Sequence, residues 1–380
     1  MLNLPPLYPA TDTRLGSKLA EQVRRFGAAG FPLVQFNGEP LDGKAQWEEL
    51  RIALQASWEN GGWPAICVKD QPELALQAIQ EGLRPWGLQW ERIGIPPSGV
   101  RCPPGLAFGT SPNGIEAWNS IDPACDHACI GPLTATQGDH AEPIGFEGLR
   151  QGCLILRHRG IMPVAIGGLT MADAGSCYQA GAESLAMARE IAHASNPSEL
   201  LWQAQCLRWR FRPPFRIGQG VALIGGSGCG KSTLAHQLGD RLRLLVKDLD
   251  EAIVQAAGKS ISKIFSEDGE PAFRSRETEI TCAAFKAPAV LALGAGAWEI
   301  EAVRDAARAA GFAVLWIAEN PDQIWQRVAQ DPTRPLAQER ETFLARWRIR
   351  MPQWMAAPMI LPLGRTPGQV ADALKEGSGS

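Results

Sequence analysis

The chain has 380 residues, with 37 lysines and arginines against 40 aspartates and glutamates, so its formal net charge is −3. This balance excludes the strongly basic surface of a typical nucleic-acid-binding protein, and no apolar run approaches the ~20 residues that cross a bilayer. The length favours two or three domains. Nine scattered cysteines, an odd number, and the lack of a signal peptide at the start predict a reducing, cytoplasmic location.

Short apolar runs alternate with helical patterns through the first half of the chain. Helical periodicity covers residues 16–27, 44–60 and 71–81, among others. We predict strands at Leu7–Ala10, Pro32–Phe36, Pro64–Val68, Gly87–Trp90, Leu106–Gly109, Ala128–Gly131, Pro163–Gly167 and Ser184–Ala188. Eight such βα units predict a (β/α)8 barrel, in which the functional site lies at the carboxyl ends of the strands.

A basic, aromatic stretch that ends in two prolines, residues 205–216, indicates a junction between domains. Its arginines suit a phosphate, although charged runs more often pack between domains or face solvent. We therefore predict a barrel over 1–205, a linker over 206–216 and a second domain over 217–376. Residues 377–380 look like a flexible tail or a remnant of cloning.

A glycine-rich loop follows the junction and is the strongest motif in the chain. The apolar run Val221–Ile224 precedes Gly-Gly-Ser-Gly-Cys-Gly-Lys-Ser-Thr at 225–233, and a helical pattern follows. Strand, glycine loop and helix form the context of a phosphate-binding loop, so a plain glycine turn is the weaker interpretation. Backbone amides around Gly225, Gly228 and Gly230 would surround the phosphates of ATP. Lys231 would reach the β- and γ-phosphates, Ser232 would hold Mg²⁺, and Thr233 completes the motif.

Four further strands are predicted after the loop, at Leu244–Lys247, Ala289–Leu293, Ala313–Ile317 and Met359–Leu361, separated by helices such as Glu301–Ala310 and Pro321–Ala329. They predict a three-layer α/β/α domain with a parallel sheet. The ordered motifs Asp-Leu-Asp at 248–250, Gly-Glu-Pro-Ala-Phe-Arg-Ser-Arg-Glu at 269–277, Gly-Ala-Gly at 294–296, Arg-Pro-Leu at 334–336 and Arg-Met-Pro-Gln-Trp at 350–354 resemble the shikimate kinase family.

Individual residues suit the steps of phosphoryl transfer. Asp248 would support Mg²⁺ through water, and Asp250, expected to point the same way along the strand, would orient and deprotonate an acceptor hydroxyl. Arg274 and Arg350 would clamp a substrate carboxylate. Arg334 lies in a proline-bordered segment typical of a lid that closes over the phosphates.

The resemblance implies further roles and shows one departure. Arg327 resembles the family arginine that lies against the adenine, and Gly294 and Gly296 belong to a glycine run that approaches the acceptor closely. Ala295 stands where the family has a third glycine, so its Cβ is expected to intrude on the acceptor, and Trp298 adds bulk nearby.

Glycines near the seventh barrel strand connect the first domain to a second family. The stretches at 162–169, 130–136 and 181–187 resemble thiamine-phosphate synthase and the related thiazole tautomerases, which implies a phosphate site at Gly167 and Gly168. The catalytic positions of that family are mostly replaced. Of its metal-binding carboxylates, the resemblance keeps Asp70 and places Gly94 at the second position. The missing cations and metal ligand argue against the synthase reaction.

The cluster Cys125, His127 and Cys129 lacks a second ligand pair at zinc spacing, so a metal site there is not favoured. A new barrel reaction that uses Asp70, His127, Asp139 or His140 stays open, as does a scaffold or a divergent barrel that binds a phosphorylated or anionic ligand.

These observations together predict an ATP- and Mg²⁺-dependent kinase of a small carboxylated alcohol, with shikimate the first choice. The alternatives are a kinase for a different small alcohol or a thiamine-related precursor, and a nucleotide-binding assembly or regulatory protein with a non-catalytic barrel. The expected partner is a small molecule rather than nucleic acid or a membrane. A homo-oligomer formed through the barrel is left open.

Overall fold

The computed structural model describes residues 4–39, 41–90, 105–112, 114–135, 142–212, 219–329, 339–357, 359–361 and 364–377. The chain divides into two compact units, Met1–Phe211 and Arg212–Ser380. This division lies inside the stretch 206–216 that the sequence predicts as a linker.

The first unit is built on eight parallel strands in the order β1-β8-β7-β6-β5-β4-β3-β2. The strands are β1 (Leu7–Pro9), β2 (Leu33–Phe36), β3 (Ala65–Lys69), β4 (Gly87–Trp90), β5 (Ala107–Thr110), β6 (His127–Ile130), β7 (Met162–Ile166) and β8 (Ser184–Met187). A bridge between Ala10 and Gln35 brings the ends of β1 and β2 together. The predicted parallel α/β barrel is therefore confirmed, with each strand boundary within one residue of its expected place.

Helices follow the barrel strands as α1 (Leu19–Ala28), α2 (Gly43–Glu59), α3 (Pro72–Gln80), α4 (Ile115–Asn119), α5 (Gly145–His158), α6 (Met171–Ala180), α7 (Arg189–His193) and α8 (Pro197–Phe211). Alternate strand residues such as Val34, Phe36, Ile66 and Val68 pack against these helices in one continuous core. The period of two along each strand directs the intervening residues to the barrel interior.

Helix α8 corrects the predicted linker, because residues 206–211 form its last turns. Arg208 is buried and donates to the backbone carbonyls of Leu4 at 3.0 Å and Glu183 at 3.2 Å. Trp209 is also buried and packs edge-on against Trp202, with ring centroids 5.9 Å apart. The basic, aromatic composition that suggested a junction therefore belongs to a helix face that packs on the barrel.

The barrel interior holds a polar pair that requires a glycine beside it. His127 Nε2 lies 2.7 Å from Gln89 Oε1, and Gln89 Nε2 donates to Ser111 Oγ at 2.7 Å. Because the amide oxygen of Gln89 only accepts, His127 carries its proton on Nε2. Burial lowers the pKa of His127 to about 4, so the ring is neutral near pH 7. A Cβ at Gly109 would lie 2.2 Å from His127 Nε2.

The second unit contains five parallel strands in the order β10-β11-β9-β12-β13. They are β9 (Val221–Ile224), β10 (Leu245–Asp248), β11 (Ala289–Ala292), β12 (Ala313–Ile317) and β13 (Met359–Leu361). The helices are α9 (Lys231–Leu242), α10 (Leu249–Ala257), α11 (Ile261–Glu267), α12 (Gly269–Ala284), α13 (Glu301–Ala309), α14 (Pro321–Val328), α15 (Arg340–Met355) and α16 (Pro367–Gly377). Strand β9 is central, so the glycine loop that follows it opens at the middle of the sheet edge. This confirms the predicted parallel α/β domain.

Neither disulfide bonds nor membrane-spanning helices occur among the described residues. Eight of the nine cysteines lie within them, and all eight are free thiols. None of the helices in the described ranges is long and apolar enough to span a bilayer.

Gly109→Ala is expected to lower the free energy of unfolding of the barrel by about 2–3 kcal/mol, because the added methyl group overlaps the His127–Gln89 pair. Hydrogen exchange measured peptide by peptide across a urea series would separate the barrel from the second unit. Gly43→Ala is the matched control, since a Cβ there meets nothing within 4 Å. Equal stability of the two variants would contradict this view of the interior.

Candidate functional site

The glycine loop between β9 and α9 has the backbone of a phosphate-binding loop. Gly225, Gly228 and Gly230 have φ values of +143°, +88° and +87°, a region that residues with a Cβ rarely adopt. The packing is also tight, since a Cβ at Gly228 would lie 2.4 Å from Val328 of α14. The loop leads directly into α9, whose free N-terminal amides favour an anion.

Lys231 is held across this loop by the backbone of the loop itself. Its ammonium donates to the carbonyl of Gly225 at 2.9 Å and to that of Gly226 at 2.8 Å. It also lies 3.9 Å from Cys229 Sγ. The ammonium of Lys231 therefore lies against the loop backbone that would bind a polyphosphate.

Trp347 of α15 supports the loop from another side. A Cβ at Gly226 would approach its indole ring to 2.2 Å. The ring is buried and packs against Trp354, with centroids 4.8 Å apart. This contact is not predictable from the sequence, because Trp347 lies more than 100 residues from the loop.

Ser232 and Asp248 form the candidate magnesium site. Ser232 Oγ donates to Asp248 Oδ2 at 2.5 Å. The other carboxylate oxygen of Asp248 accepts from the amides of Asp250 at 3.0 Å and Glu251 at 3.3 Å, which caps helix α10. A hydroxyl and a carboxylate next to a phosphate loop are the hard oxygen ligands that Mg²⁺ prefers, so these residues fit the ion.

The prediction that Asp250 continues strand β10 and points the same way as Asp248 is wrong. Strand β10 ends at Asp248, and Asp250 lies in the first turn of α10 rather than further along the strand. The capping bonds of Asp248 cause this turn. Asp250 still reaches the end of β11, because a Cβ at Gly294 would lie 3.0 Å from Asp250 Oδ1 and 2.4 Å from Glu277 Oε1.

Arg274 and Glu277 of α12 form a mostly buried ion pair at the same strand end. Arg274 Nη1 lies 2.6 Å from Glu277 Oε2, whose side chain is only 2% exposed. A Cβ at Gly296 would lie 2.4 Å from Arg274 Nη1. Burial raises the pKa of the Glu277 carboxyl, Arg274 opposes the rise, and Asp250 adds to it. Four residues that the sequence predicts as site residues therefore lie together in the structure: Asp250, Arg274, Gly294 and Gly296.

Glu277 is a site residue to which sequence reasoning assigned no role. Its spacing of three residues from Arg274 on a helix was an available signal, since such residues lie on one face. Arg350 lowers the pKa of the same carboxyl, so it also faces this cluster. Its own guanidinium donates to Glu299 Oε1 at 2.7 Å. Glu299 was likewise given no role.

Of two further arginines predicted as site residues, the described residues include Arg327 but not Arg334. Arg327 of α14 forms an ion pair with Glu319, a side chain only 4% exposed. Arg334, the predicted lid residue, lies outside the described residues. The same holds for Gly94, Asp139 and His140 of the barrel. Thr233 lies in the first turn of α9, beside Ser232.

The structure accommodates the departure at Ala295. Among the described residues, Asp70 and Arg243 are the non-glycine positions with positive φ, so Ala295 has an ordinary backbone conformation. Trp298 is buried, and its carbonyl accepts from Arg304 at 2.7 Å. Neither residue strains this strand end.

The predicted phosphate site of the barrel lies in the loop after β7. Gly167 and Gly168 have φ values of +88° and +69°. Thr134 Oγ1 donates to the carbonyl of Gly168 at 2.9 Å. A Cβ at Gly168 would lie 2.0 Å from Thr134 Oγ1. The loop therefore requires glycine at this position.

Asp70 does not fit the metal that the barrel resemblance implies. Lys69 Nζ lies 3.7 Å from its carboxylate, and both side chains are largely buried. Within the described ranges, no group of three or more His, Cys, Asp or Glu side chains converges as a metal site. A fixed ammonium beside the carboxylate opposes a divalent cation.

Known proteins match the two units separately. Residues 227–359 match the shikimate kinase family model, and residues 7–191 match the thiamine monophosphate synthase model. A shikimate kinase from Cereibacter sphaeroides is 34% identical over 166 residues, 42% of this chain and 83% of that protein. The chain belongs to the shikimate kinase family. One from Thermobifida fusca is 36% identical over 159 residues, 40% of this chain and 91% of that protein.

Solved structures also match each unit. Shikimate kinase from Acinetobacter baumannii, in complex with shikimate, has a TM-score of 0.38 and 28% identity over 43% of this chain and 92% of that one. Thiamine phosphate pyrophosphorylase from Pyrococcus furiosus has a TM-score of 0.42 and 22% identity over 54% of this chain and 96% of that one. The family membership of the second unit indicates an ATP-dependent phosphotransferase that acts on an alcohol.

Arg274→Met is expected to lower the free energy of unfolding of the kinase unit by about 3 kcal/mol near pH 7, because it leaves the buried Glu277 carboxylate unpaired. The loss should shrink as the pH falls, since a carboxyl whose pKa is raised in the folded state binds a proton more readily there. Urea denaturation at pH 5 and pH 7 measures both effects.

Arg276→Met on the same helix is the matched control for this prediction. Arg276 pairs with Asp268 at 2.6 Å but is 39% exposed, so its loss should cost less than ~1 kcal/mol. A similar loss in both variants, or a loss in Arg274→Met that grows at low pH, would contradict the account.

Proposed function

We propose that the second unit transfers the γ-phosphoryl group of ATP to a hydroxyl of a small carboxylated acceptor, with shikimate the first choice. The observation that carries this proposal is the convergence of Asp250, Arg274 and Glu277 on Gly294 and Gly296 at the end of β11. Strand β11 lies directly beside β9, which leads into the phosphate loop. The acceptor region and the phosphate loop therefore open at the same edge of one sheet.

Lys231 is proposed to bind the β- and γ-phosphates. Its ammonium exchanges the two loop carbonyls for phosphate oxygens, which are stronger partners for a cation. The charge then acts on the oxygens that gain negative charge during transfer. The glycine backbone and the start of α9 add amide donors to the same phosphates.

Ser232 and Asp248 are proposed to hold Mg²⁺ with the nucleotide. When bound, the ion neutralises charge on the transferring phosphoryl group. Asp248 Oδ1 accepts hydrogen bonds from two amides at the start of α10, so Oδ2, which accepts from Ser232, is oriented before ligands bind. Ser232 is fixed by its position at the start of α9.

Asp250 is proposed to accept the proton of the acceptor hydroxyl. Gly294 lacks a Cβ next to this carboxylate, so a substrate carbon can approach it. Nearby, the pair Arg274–Glu277 and the pair Arg350–Glu299 present guanidinium groups suited to a planar carboxylate. An acceptor with a carboxylate and a ring hydroxyl satisfies both features, which is why shikimate is the first choice.

The barrel is proposed to bind a phosphorylated or anionic ligand at Gly167 and Gly168, or to serve as a scaffold. Residues 7–191 match the thiamine monophosphate synthase model, and this match favours a second candidate: a kinase for a thiamine-related alcohol. A screen of shikimate against thiamine precursors as acceptors separates the two. Turnover of shikimate alone would remove the second candidate.

The purified 380-residue chain with Mg·ATP is expected to release ADP only when shikimate is added. Lys231→Met should lower that rate by at least ~10²-fold, because the transition-state charge loses its cation. Lys286→Met, at an exposed loop residue, is the control and should match the parent protein. Full turnover by Lys231→Met would overturn the proposed function.

Asp250→Asn is expected to lower kcat by ~10²–10⁴-fold with shikimate, since an amide does not accept the hydroxyl proton. Initial rates at saturating ATP and shikimate measure this effect. Asp240→Asn, at an exposed position of α9, is the matched control. An unchanged kcat in Asp250→Asn would exclude this residue as the base.

A further inference from the structure

The turn that follows β11 lies against two arginines. A Cβ at Gly296 would lie 2.4 Å from Arg274 Nη1. Three residues further on, Glu299 Oε1 accepts a hydrogen bond from Arg350 Nε at 2.7 Å. Arg274 belongs to α12 and Arg350 to α15, so two helices distant in sequence meet one short turn. The turn 294–299 is therefore a shared support for both guanidinium groups.

The backbone of Glu299 is held on both sides. Its amide donates to the carbonyl of Gly296 at 3.0 Å. Its carbonyl accepts from Arg304 Nη1 at 2.7 Å, and the same nitrogen donates to the carbonyl of Trp298 at 2.7 Å. The side chain of Trp298 is buried. The carboxylate of Glu299 thus reaches Arg350 from a turn that three hydrogen bonds and a buried indole keep in place.

The nitrogen of Arg350 that contacts Glu299 is Nε. A guanidinium carries five N–H donors in a planar fork, most of them on its two terminal nitrogens. Such a fork binds a planar carboxylate through two parallel N–H groups. A bond at Nε fixes the plane of the guanidinium and is compatible with a second carboxylate at the terminal nitrogens.

Arg350 has a positively charged neighbour on its own helix. Arg346 lies four residues earlier on α15, a spacing that places two side chains on one face. Burial lowers the pKa of the Arg346 guanidinium, and Arg350 lowers it further, as a nearby positive charge does. A long arginine side chain also loses much rotational freedom when it is held in one orientation. Glu299 supplies a counter-charge and holds Arg350 before an acceptor binds.

We propose that Glu299 is a positioning residue, which holds Arg350 in the orientation that binds the carboxylate of the acceptor. Glu299 keeps its bond to Nε, while the terminal nitrogens exchange their partners for the acceptor carboxylate. This inference rests on the proposed function, in which Arg350 binds that carboxylate. Glu299 is 32% exposed, so the pair contributes little to stability, and an effect on the acceptor is separable from folding.

The first experiment is isothermal titration of shikimate into the 380-residue chain without ATP, so that no turnover occurs. Glu299→Ala is expected to raise the Kd about 10-fold, because the acceptor must then order Arg350 itself. Glu299→Gln should stay within about 3-fold of the parent, since its amide oxygen still accepts from Nε. Initial rates should show the same changes in KM for shikimate, with kcat and the KM for ATP altered less than about 2-fold.

A double variant tests whether Glu299 acts through Arg350. In an Arg350→Met background, Glu299→Ala should change kcat/KM for shikimate less than about 2-fold, because the side chain that it positions is gone. Glu301→Ala, at an exposed position two residues along the chain, is the matched control and should bind shikimate as the parent does.

Three results would overturn the proposal. One is an unchanged Kd in Glu299→Ala, and another is the full 10-fold effect of this substitution in the Arg350→Met background. The third is tighter binding of shikimate by Glu299→Ala, which is the result expected if Glu299 competes with the acceptor for Arg350.

A measurement without an acceptor separates this inference from the proposed function. In the chain with ¹⁵N-labelled arginine, the Nε–H resonance of Arg350 is the one that Arg350→Met removes. It should exchange slowly with solvent in the parent and in Glu299→Gln, and rapidly in Glu299→Ala. If the parent binds no shikimate, the proposed function fails and this resonance decides: equal exchange in the parent and Glu299→Ala overturns the inference, and slower exchange in the parent supports it.

Discussion

The ion pair between Arg274 and Glu277 organises the acceptor side of the kinase unit. It lies against a strand end where neither Gly294 nor Gly296 has room for a Cβ, so backbone, arginine and two carboxylates share one small volume. Asp250 enters this volume from α10, and Arg350 acts on it from α15. Four segments distant in sequence therefore depend on one close approach. Because Glu277 is buried, its charge is tolerated only with Arg274 beside it.

Cations of the site are compensated before ligands bind. Arg274 has Glu277, Arg350 has Glu299, Arg327 has Glu319, and Lys231 has two loop carbonyls. These partners fix the side chains in position and limit the cost of holding several positive charges together. Binding then becomes an exchange of partners, in which phosphate and carboxylate oxygens replace groups already present. Such preorganisation is the source of most electrostatic catalysis.

The sequence predicted the fold closely because buried parallel strands are continuous apolar runs between turns, as at Ala313–Ile317 and Gly87–Trp90, whose predicted and observed bounds agree. It also singled out Asp250 and Arg274, which the structure brings to the strand end at Gly294 and Gly296. It did not show that Asp248 caps α10, so it misplaced Asp250 along the strand. No role is assigned from the sequence to the compensating carboxylates Glu277, Glu299 and Glu319, because a charged residue in a sequence gives no sign of its burial. For Glu277 the spacing of three residues from Arg274 is an available signal. The last turns of helix α8, residues 206–211, are predicted as part of a linker because the stretch is basic and aromatic and ends in two prolines, whereas the structure buries Arg208 and Trp209.

The most direct test of the account is ³¹P NMR of the full chain incubated with Mg·ATP and shikimate. The account predicts that the γ-phosphate resonance of ATP decreases while a phosphomonoester signal grows, split by coupling to a ring proton of the acceptor. That signal identifies transfer to a carbon-bound hydroxyl, which ADP release alone does not. Growth of inorganic phosphate alone, or no change in ATP, would contradict the claim that Asp250, Arg274 and the phosphate loop form a site for phosphorylating shikimate.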